Sequence, residues 1–141
     1  MAKAKKILVV EDDFHLLELL KLWVMDAGYN VVTAIDGKDA LQKVDTEKPD
    51  LVVLDLMIPK INGYKVCETI KHSGSTEHIP VIILTARDKV EDVEKGFNTH
   101  ADHYLIKPCE AEKFIKTIKE CLEGSAIPPH SVIMGIQTAD K

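Results

Sequence analysis

Leu51-Val52-Val53-Leu54-Asp55-Leu56-Met57-Ile58-Pro59 is the stretch that decides the fold. Four apolar residues run straight into one carboxylate, and Pro59 and Asn62-Gly63 follow. A run this short, rich in Val and Leu and bounded by Pro49 and Pro59, predicts a fully buried strand. Strands buried on both faces belong to parallel sheets covered by helices. In open sheets of that kind, ligands bind outside the carboxyl ends of the strands. Asp55 stands at such an end, either as an ordinary turn former or as a functional group.

The flanking sequence repeats the pattern. Upstream, Lys6 to Val10 is a second short apolar run, and it too ends in acids, Glu11, Asp12 and Asp13. Leu16, Leu17, Leu20, Trp23, Val24 and Ala27 then form a helical stripe closed by Gly28, with Asp12 or Asp13 available as its cap. Val31 to Ala34 predicts a strand, and a short helix starts at Asp36-Gly37 and stops at Lys48-Pro49. Downstream, Gly63 to Lys71 has Val66, Cys67 and Ile70 at helical spacing. Pro80 to Leu84 predicts the fourth strand and ends in Thr85-Ala86. A weak fourth helix is expected over Asp88 to Lys95, and a fifth strand over Tyr104 to Ile106, ending in Lys107-Pro108. Glu110 to Glu123 predicts an amphipathic fifth helix with Phe114, Ile115, Ile118, Cys121 and Leu122 as its stripe. Five strands alternating with five helices imply an α/β fold, a doubly wound parallel sheet with helices on both faces. Five such units are too few for an eight-stranded barrel.

Composition narrows the classes of function. The 141 residues are enough for one domain. A net charge of −5 argues against direct nucleic-acid binding, which needs a basic surface. No window approaches the roughly 18 apolar residues of a membrane span. The N-terminus lacks the pattern of a signal peptide. Cys67, Cys109 and Cys121 are odd in number and lack a paired spacing, so neither a disulfide framework nor a zinc site is expected, and the expected location is cytoplasmic. His100 and His103 stand three apart without a further ligand pair, which is poor evidence for a metal.

The strand ends carry the chemistry. If the sheet is parallel, Asp12, Asp13, Asp55, Thr85 and Lys107 all lie on its carboxyl edge. Acids gathered there repel unless a cation sits among them. Oxygen donors suit Mg²⁺, which also accepts phosphate oxygens. A carboxylate nucleophile, a metal site, an ammonium and a hydroxyl are the parts of a phosphoryl-transfer site that forms an aspartyl phosphate.

Roughly Lys5 to Leu122 resembles the receiver domain of two-component response regulators, the CheY-like family. The resemblance is carried by Ile7-Leu8-Val9-Val10-Glu11-Asp12-Asp13, Leu54-Asp55-Leu56-Met57-Ile58-Pro59 with Asn62-Gly63, Pro80-Val81-Ile82-Ile83-Leu84-Thr85-Ala86, and Ala101-Asp102-His103-Tyr104-Leu105-Ile106-Lys107-Pro108. It implies a flavodoxin-like sheet in the order 2-1-3-4-5, with residues 1–123 as the receiver and 124–141 as a tail or linker. It implies that Asp55 takes a phosphoryl group from a sensor histidine kinase or a histidine phosphotransfer protein. Asp12, Asp13, Asp55 and the main-chain carbonyl of Met57 would hold Mg²⁺. Lys107, its bond to Pro108 cis, would pair with Asp55. Thr85 and Tyr104 would shift together and alter the surface of the fourth helix, fifth strand and fifth helix. That surface would control a downstream protein target or an output domain missing from the chain, and could serve a homodimer. His100, His103, Cys109 and Lys60 depart from the usual family pattern.

Two other functions share these features. An aspartyl-phosphate phosphatase would be expected to carry a second acid two residues after the nucleophile, where this chain has Met57. A receiver-like module that never takes phosphate would not need the complete set of Asp12, Asp13, Asp55, Thr85 and Lys107. A flavodoxin-like nucleotide binder would need a glycine-rich loop after a strand, and the seven glycines are scattered.

Overall fold

A computed structural model describes residues 4–86 and 101–123. Its described elements are β1 (Lys6–Val10), α1 (Phe14–Asp26), β2 (Asn30–Ala34), α2 (Gly37–Glu47), β3 (Leu51–Asp55), α3 (Gly63–Lys71), β4 (Val81–Ala86), β5 (His103–Lys107) and α4 (Ala111–Leu122). The expected helix over Asp88 to Lys95, His100 and the tail 124–141 lie outside the described residues. The helix labelled α4 is therefore the one expected fifth from sequence.

The five strands form one parallel sheet in the order β2-β1-β3-β4-β5. The apolar runs look continuous in sequence, yet each strand divides its side chains between two cores. Ile7 and Val9 of β1 and Leu51 and Val53 of β3 pack with Leu17, Leu20, Phe114 and Ile118 of α1 and α4. Leu8, Val10, Val52 and Leu54 face the other way, onto Ala40, Val44, Val66 and Ile70 of α2 and α3. The strand period of two sends alternate residues to opposite faces, and both faces are covered. This is why the runs show no polar alternation.

Helix starts follow the expected chemistry. Asp13, Asp36 and Asn62 each occupy an N-cap, and each side chain accepts from a backbone N–H of the first turn. All three caps follow strands β1, β2 and β3, so the carboxyl edge of the sheet is also the edge of the helix N-termini. Strand β3 runs one residue further than expected and includes Asp55, because Asp55 stands opposite Leu84 of β4. Strand β5 runs from His103 to Lys107, longer than the three residues expected, because it pairs along β4 as far as Ala86. The Lys107–Pro108 bond is cis, as the resemblance implied.

At the opposite end of the sheet, Asp102 fixes the entry to β5. Its Oδ2 accepts the Val81 N–H at 2.8 Å and lies 2.7 Å from Lys71 Nζ. The ammonium also donates to the carbonyls of Ile79 and Glu77. One lysine thus ties α3, the approach to β4 and the start of β5 together. Cys67 is buried in the core, as expected for a small apolar residue. Burial pushes the Cys121 thiol up to about 12, so it is poorly ionised at neutral pH. Among the described residues, no helix is long and apolar enough to cross a membrane.

Candidate functional site

The sheet changes winding direction between β1 and β3, which lie side by side while β2 and β4 lie outside them. Crevices form at such a reversal, beyond the carboxyl ends of the two central strands. Register then decides what meets there. Val10 of β1 stands beside Leu54 of β3, so the next residues, Glu11 and Asp55, come level with each other.

Asp55 is 3% exposed. One oxygen accepts the Met57 N–H at 3.2 Å, and the other lies 3.0 Å from Lys107 Nζ. The same ammonium donates to Glu11 Oε1 at 2.9 Å. Lys107 therefore bridges two carboxylates on different strands. The second Glu11 oxygen accepts the Asp13 N–H at 3.1 Å. One carboxylate oxygen from each of Glu11, Asp12 and Asp55 lies within 4.8 Å of the others. Asp12 is exposed and the other two are buried, so the cluster opens to solvent on one side. The donor set is all carboxylate oxygen, which fits a hard divalent cation such as Mg²⁺.

Asp13, expected among the metal ligands, is placed elsewhere. Its Oδ1 accepts the N–H groups of His15 at 2.9 Å and Leu16 at 3.2 Å, capping α1. Glu11 takes the position in the cluster instead. Sequence reasoning missed Glu11 because the three consecutive acids look equivalent until register is known. Aligning the two apolar runs by their ends, with Glu11 beside Asp55, is the signal that finds it. Thr85 is buried at the end of β4, next to Leu84, the partner of Asp55. Tyr104 is buried in the core that faces α2 and α3. The His103 ring lies against its own backbone, with Nδ1 3.0 Å from the Tyr104 N–H.

The charges are unevenly balanced. Burial, the largest influence, and the Asp55 charge raise the Glu11 pKa, and together they outweigh the lowering by the Lys107 ammonium and the Asp13 N–H. Burial opposes the charge of Lys107, but its bonds to Glu11 and Asp55 hold its pKa above the ordinary lysine value. A carboxyl whose folded pKa lies above its unfolded one stabilises the fold at acid pH. That contribution is lost as pH rises from the unfolded pKa through the folded one. The Tm difference between Glu11→Gln and the wild-type metal-free chain is accordingly expected to move in the variant's favour as pH rises from 4 to 7. Thermal unfolding at the two pH values checks this, and a difference that moves the other way contradicts it.

The family model for the response regulator receiver domain matches residues 7–119. The chain is 41% identical over 123 residues to the alkaline phosphatase synthesis transcriptional regulatory protein PhoP of Bacillus subtilis, covering 87% of this chain and 50% of that protein. It is 36% identical over 117 residues to the DNA-binding dual master transcriptional regulator RpaA of Synechocystis, covering 83% and 48%. The chain thus spans about half the length of these curated relatives. Among solved structures, it is similar to chemotaxis response regulator CheY4 of Vibrio cholerae, with a TM-score of 0.79 and 27% identity over 84% of this chain and 99% of that one. A CheY-like receiver domain protein from Methanospirillum hungatei gives 0.80 and 27% over 86% and 96%.

Proposed function

The chain belongs to the response regulator receiver domain family, and from that premise we propose that it is a phosphorylation switch in which Asp55 accepts the phosphoryl group. The observation that carries this is the placement of Asp55. It is a nearly buried carboxylate at the carboxyl end of the central strand, 3.0 Å from an ammonium and grouped with two further acids. An Asp55 oxygen attacks phosphorus, the bond to the donor's imidazole nitrogen breaks, and the imidazole leaves. Mg²⁺, when bound by Glu11, Asp12, Asp55 and the Met57 carbonyl, supplies charge neutralisation at the phosphoryl oxygens. Lys107 gives up its contact with Asp55 and donates to the phosphoryl group. The Thr85 hydroxyl, on the neighbouring strand, offers a further donor. Met57 in place of a second acid leaves no side-chain base for rapid hydrolysis, which favours a switch over a phosphatase.

The donor is a protein, a histidine kinase or a histidine phosphotransfer protein. Phe14, Ile35 and Met57 are exposed apolar side chains that follow β1, β2 and β3, so they share the edge that holds Asp55. Apolar surface around a charged cleft suits a macromolecular donor better than a small one. The relatives carry as much chain again, and one is described as DNA-binding. Output through an attached or separate domain, with Thr85 and Tyr104 relaying the change to the β5 and α4 surface, fits that length. Residues 1–123 act as the receiver and 124–141 as a tail or linker.

Acetyl phosphate with and without Mg²⁺ tests the assignment. One acyl phosphate per chain is expected, seen by intact mass and lost with EDTA. Release of many phosphate equivalents per chain would favour the phosphatase instead. The Mg²⁺ half-saturation, expected to be on the order of millimolar for so open a site, should rise in Asp12→Ala. It should hardly move in Asp13→Ala, whose loss is a helix cap worth about 1 kcal/mol. Equal weakening by both would return the metal role to Asp13.

A further inference from the structure

The loop leading away from Asp55 is gripped by a helix that contributes no acid to the cluster. The Gly37 N–H, at the start of α2, donates to the Pro59 carbonyl at 3.1 Å. A Cβ on Gly37 would overlap the Ile61 carbonyl oxygen and come within 2.7 Å of its carbonyl carbon and its Cβ. Only a residue without a side chain lets the two backbones approach this closely. One residue earlier, Asp36 is buried, caps α2 through the Asp39 N–H at 2.7 Å, and has Oδ2 3.4 Å from Lys60 Nζ. Lys60 has a φ of 69°, a left-handed conformation that a lysine adopts only under constraint. Its neighbours Pro59 and Ile61 both meet Gly37. At the far end, a Cβ on Gly63 would lie 2.7 Å from the Asp55 carbonyl oxygen. The segment is therefore set from both sides by backbone contact, and the Met57 N–H within it holds the Asp55 carboxylate.

We propose that Gly37 is a positioning residue for the phosphorylation site: its close approach to Pro59 and Ile61 sets the loop whose Met57 N–H orients Asp55. The proposal rests on the assignment of the Asp55 cleft as a Mg²⁺-dependent phosphoacceptor. It extends the site to a helix start on the far side of β1, with Asp36 and Lys60 as a second tie. Losing the partner that directly orients a metal ligand weakens such sites roughly ten- to hundredfold, and Gly37 acts one step further out.

The test is Gly37→Ala in the full chain. Mg²⁺ is titrated into the ¹⁵N-labelled protein and half-saturation is read from the Leu56 and Met57 amide shifts. Labelling by acetyl phosphate and thermal unfolding are measured beside it. Half-saturation is expected to rise severalfold, up to roughly tenfold, with labelling slowed at subsaturating Mg²⁺. Val24→Ala is the control, since Val24 is buried in the α1 and α4 core on the opposite face of the sheet. It should lose Tm but keep wild-type half-saturation, which separates positioning from general destabilisation. A folded Gly37→Ala chain with wild-type half-saturation overturns the proposal. If that variant does not fold, Asp36→Ala is read in the same way, and an unchanged half-saturation overturns it equally. A wild-type chain with no Mg²⁺ response rejects the cleft assignment and the positioning role with it. A wild-type response that Gly37→Ala leaves unaltered rejects the positioning role alone.

Discussion

Asp55→Asn is expected to abolish phosphorylation, taking the yield from one group per chain to none. An amide cannot form the acyl phosphate, and among the described residues neither acid beside it takes its place. Glu11 is buried and tied by Lys107 and the Asp13 N–H, and Asp12 is at the exposed rim of the cluster. The fold should survive, because Asn has nearly the same shape and Lys107 keeps its bond to Glu11. Removing the Asp55 charge also relieves Glu11, whose pKa that charge helps to raise. Intact mass after treatment with acetyl phosphate, or with a phosphorylated histidine donor, gives the answer. A mutant labelled as fully as wild type would remove Asp55 from the mechanism.

The largest stability effect is expected at Phe114. Its side chain is fully buried on α4 and packs against Trp23 of α1 with ring centroids 5.7 Å apart. It also closes the core under Ile82, Leu84 and Leu105. Truncating a buried phenylalanine loses its transfer energy and leaves a cavity, together about 3–5 kcal/mol. Domains of this kind have only about 5–15 kcal/mol in total, so Phe114→Ala should lose roughly a fifth of its stability or more. Urea unfolding followed through Trp23, the only tryptophan, reports the change directly. The midpoint should fall with the slope preserved. A loss below about 1 kcal/mol would mean that α4 contributes little to the fold.

Much of this protein was legible before any coordinates. The bounds of Lys6–Val10 and Gly63–Lys71 were readable from an unbroken apolar run and from a capped helical stripe. The central strand and its terminal Asp55 were readable for the same reason. Local patterning, proline and glycine punctuation and cap chemistry act over a few residues, so a linear string carries them. The motifs Leu54-Asp55, Thr85-Ala86 and Lys107-Pro108 were visible too, because each follows a strand whose end is marked in the sequence.

The choice among Glu11, Asp12 and Asp13 was a tertiary matter. Three adjacent acids have equal claims in a string. The pairing of Val10 with Leu54 brings Glu11 level with Asp55, and the start of α1 turns Asp13 to the helix N–H groups. The dual role of Lys107 likewise needs strands 96 and 52 residues apart in sequence to converge on one ammonium. The demand for glycine at position 37 came from the backbone of Ile61, which no local pattern announces. Sequence determined the elements and the residue types at their ends, because those obey short-range sterics and burial. Only the folded sheet decided which of those residues meet, because register and close backbone approach belong to contacts between distant segments.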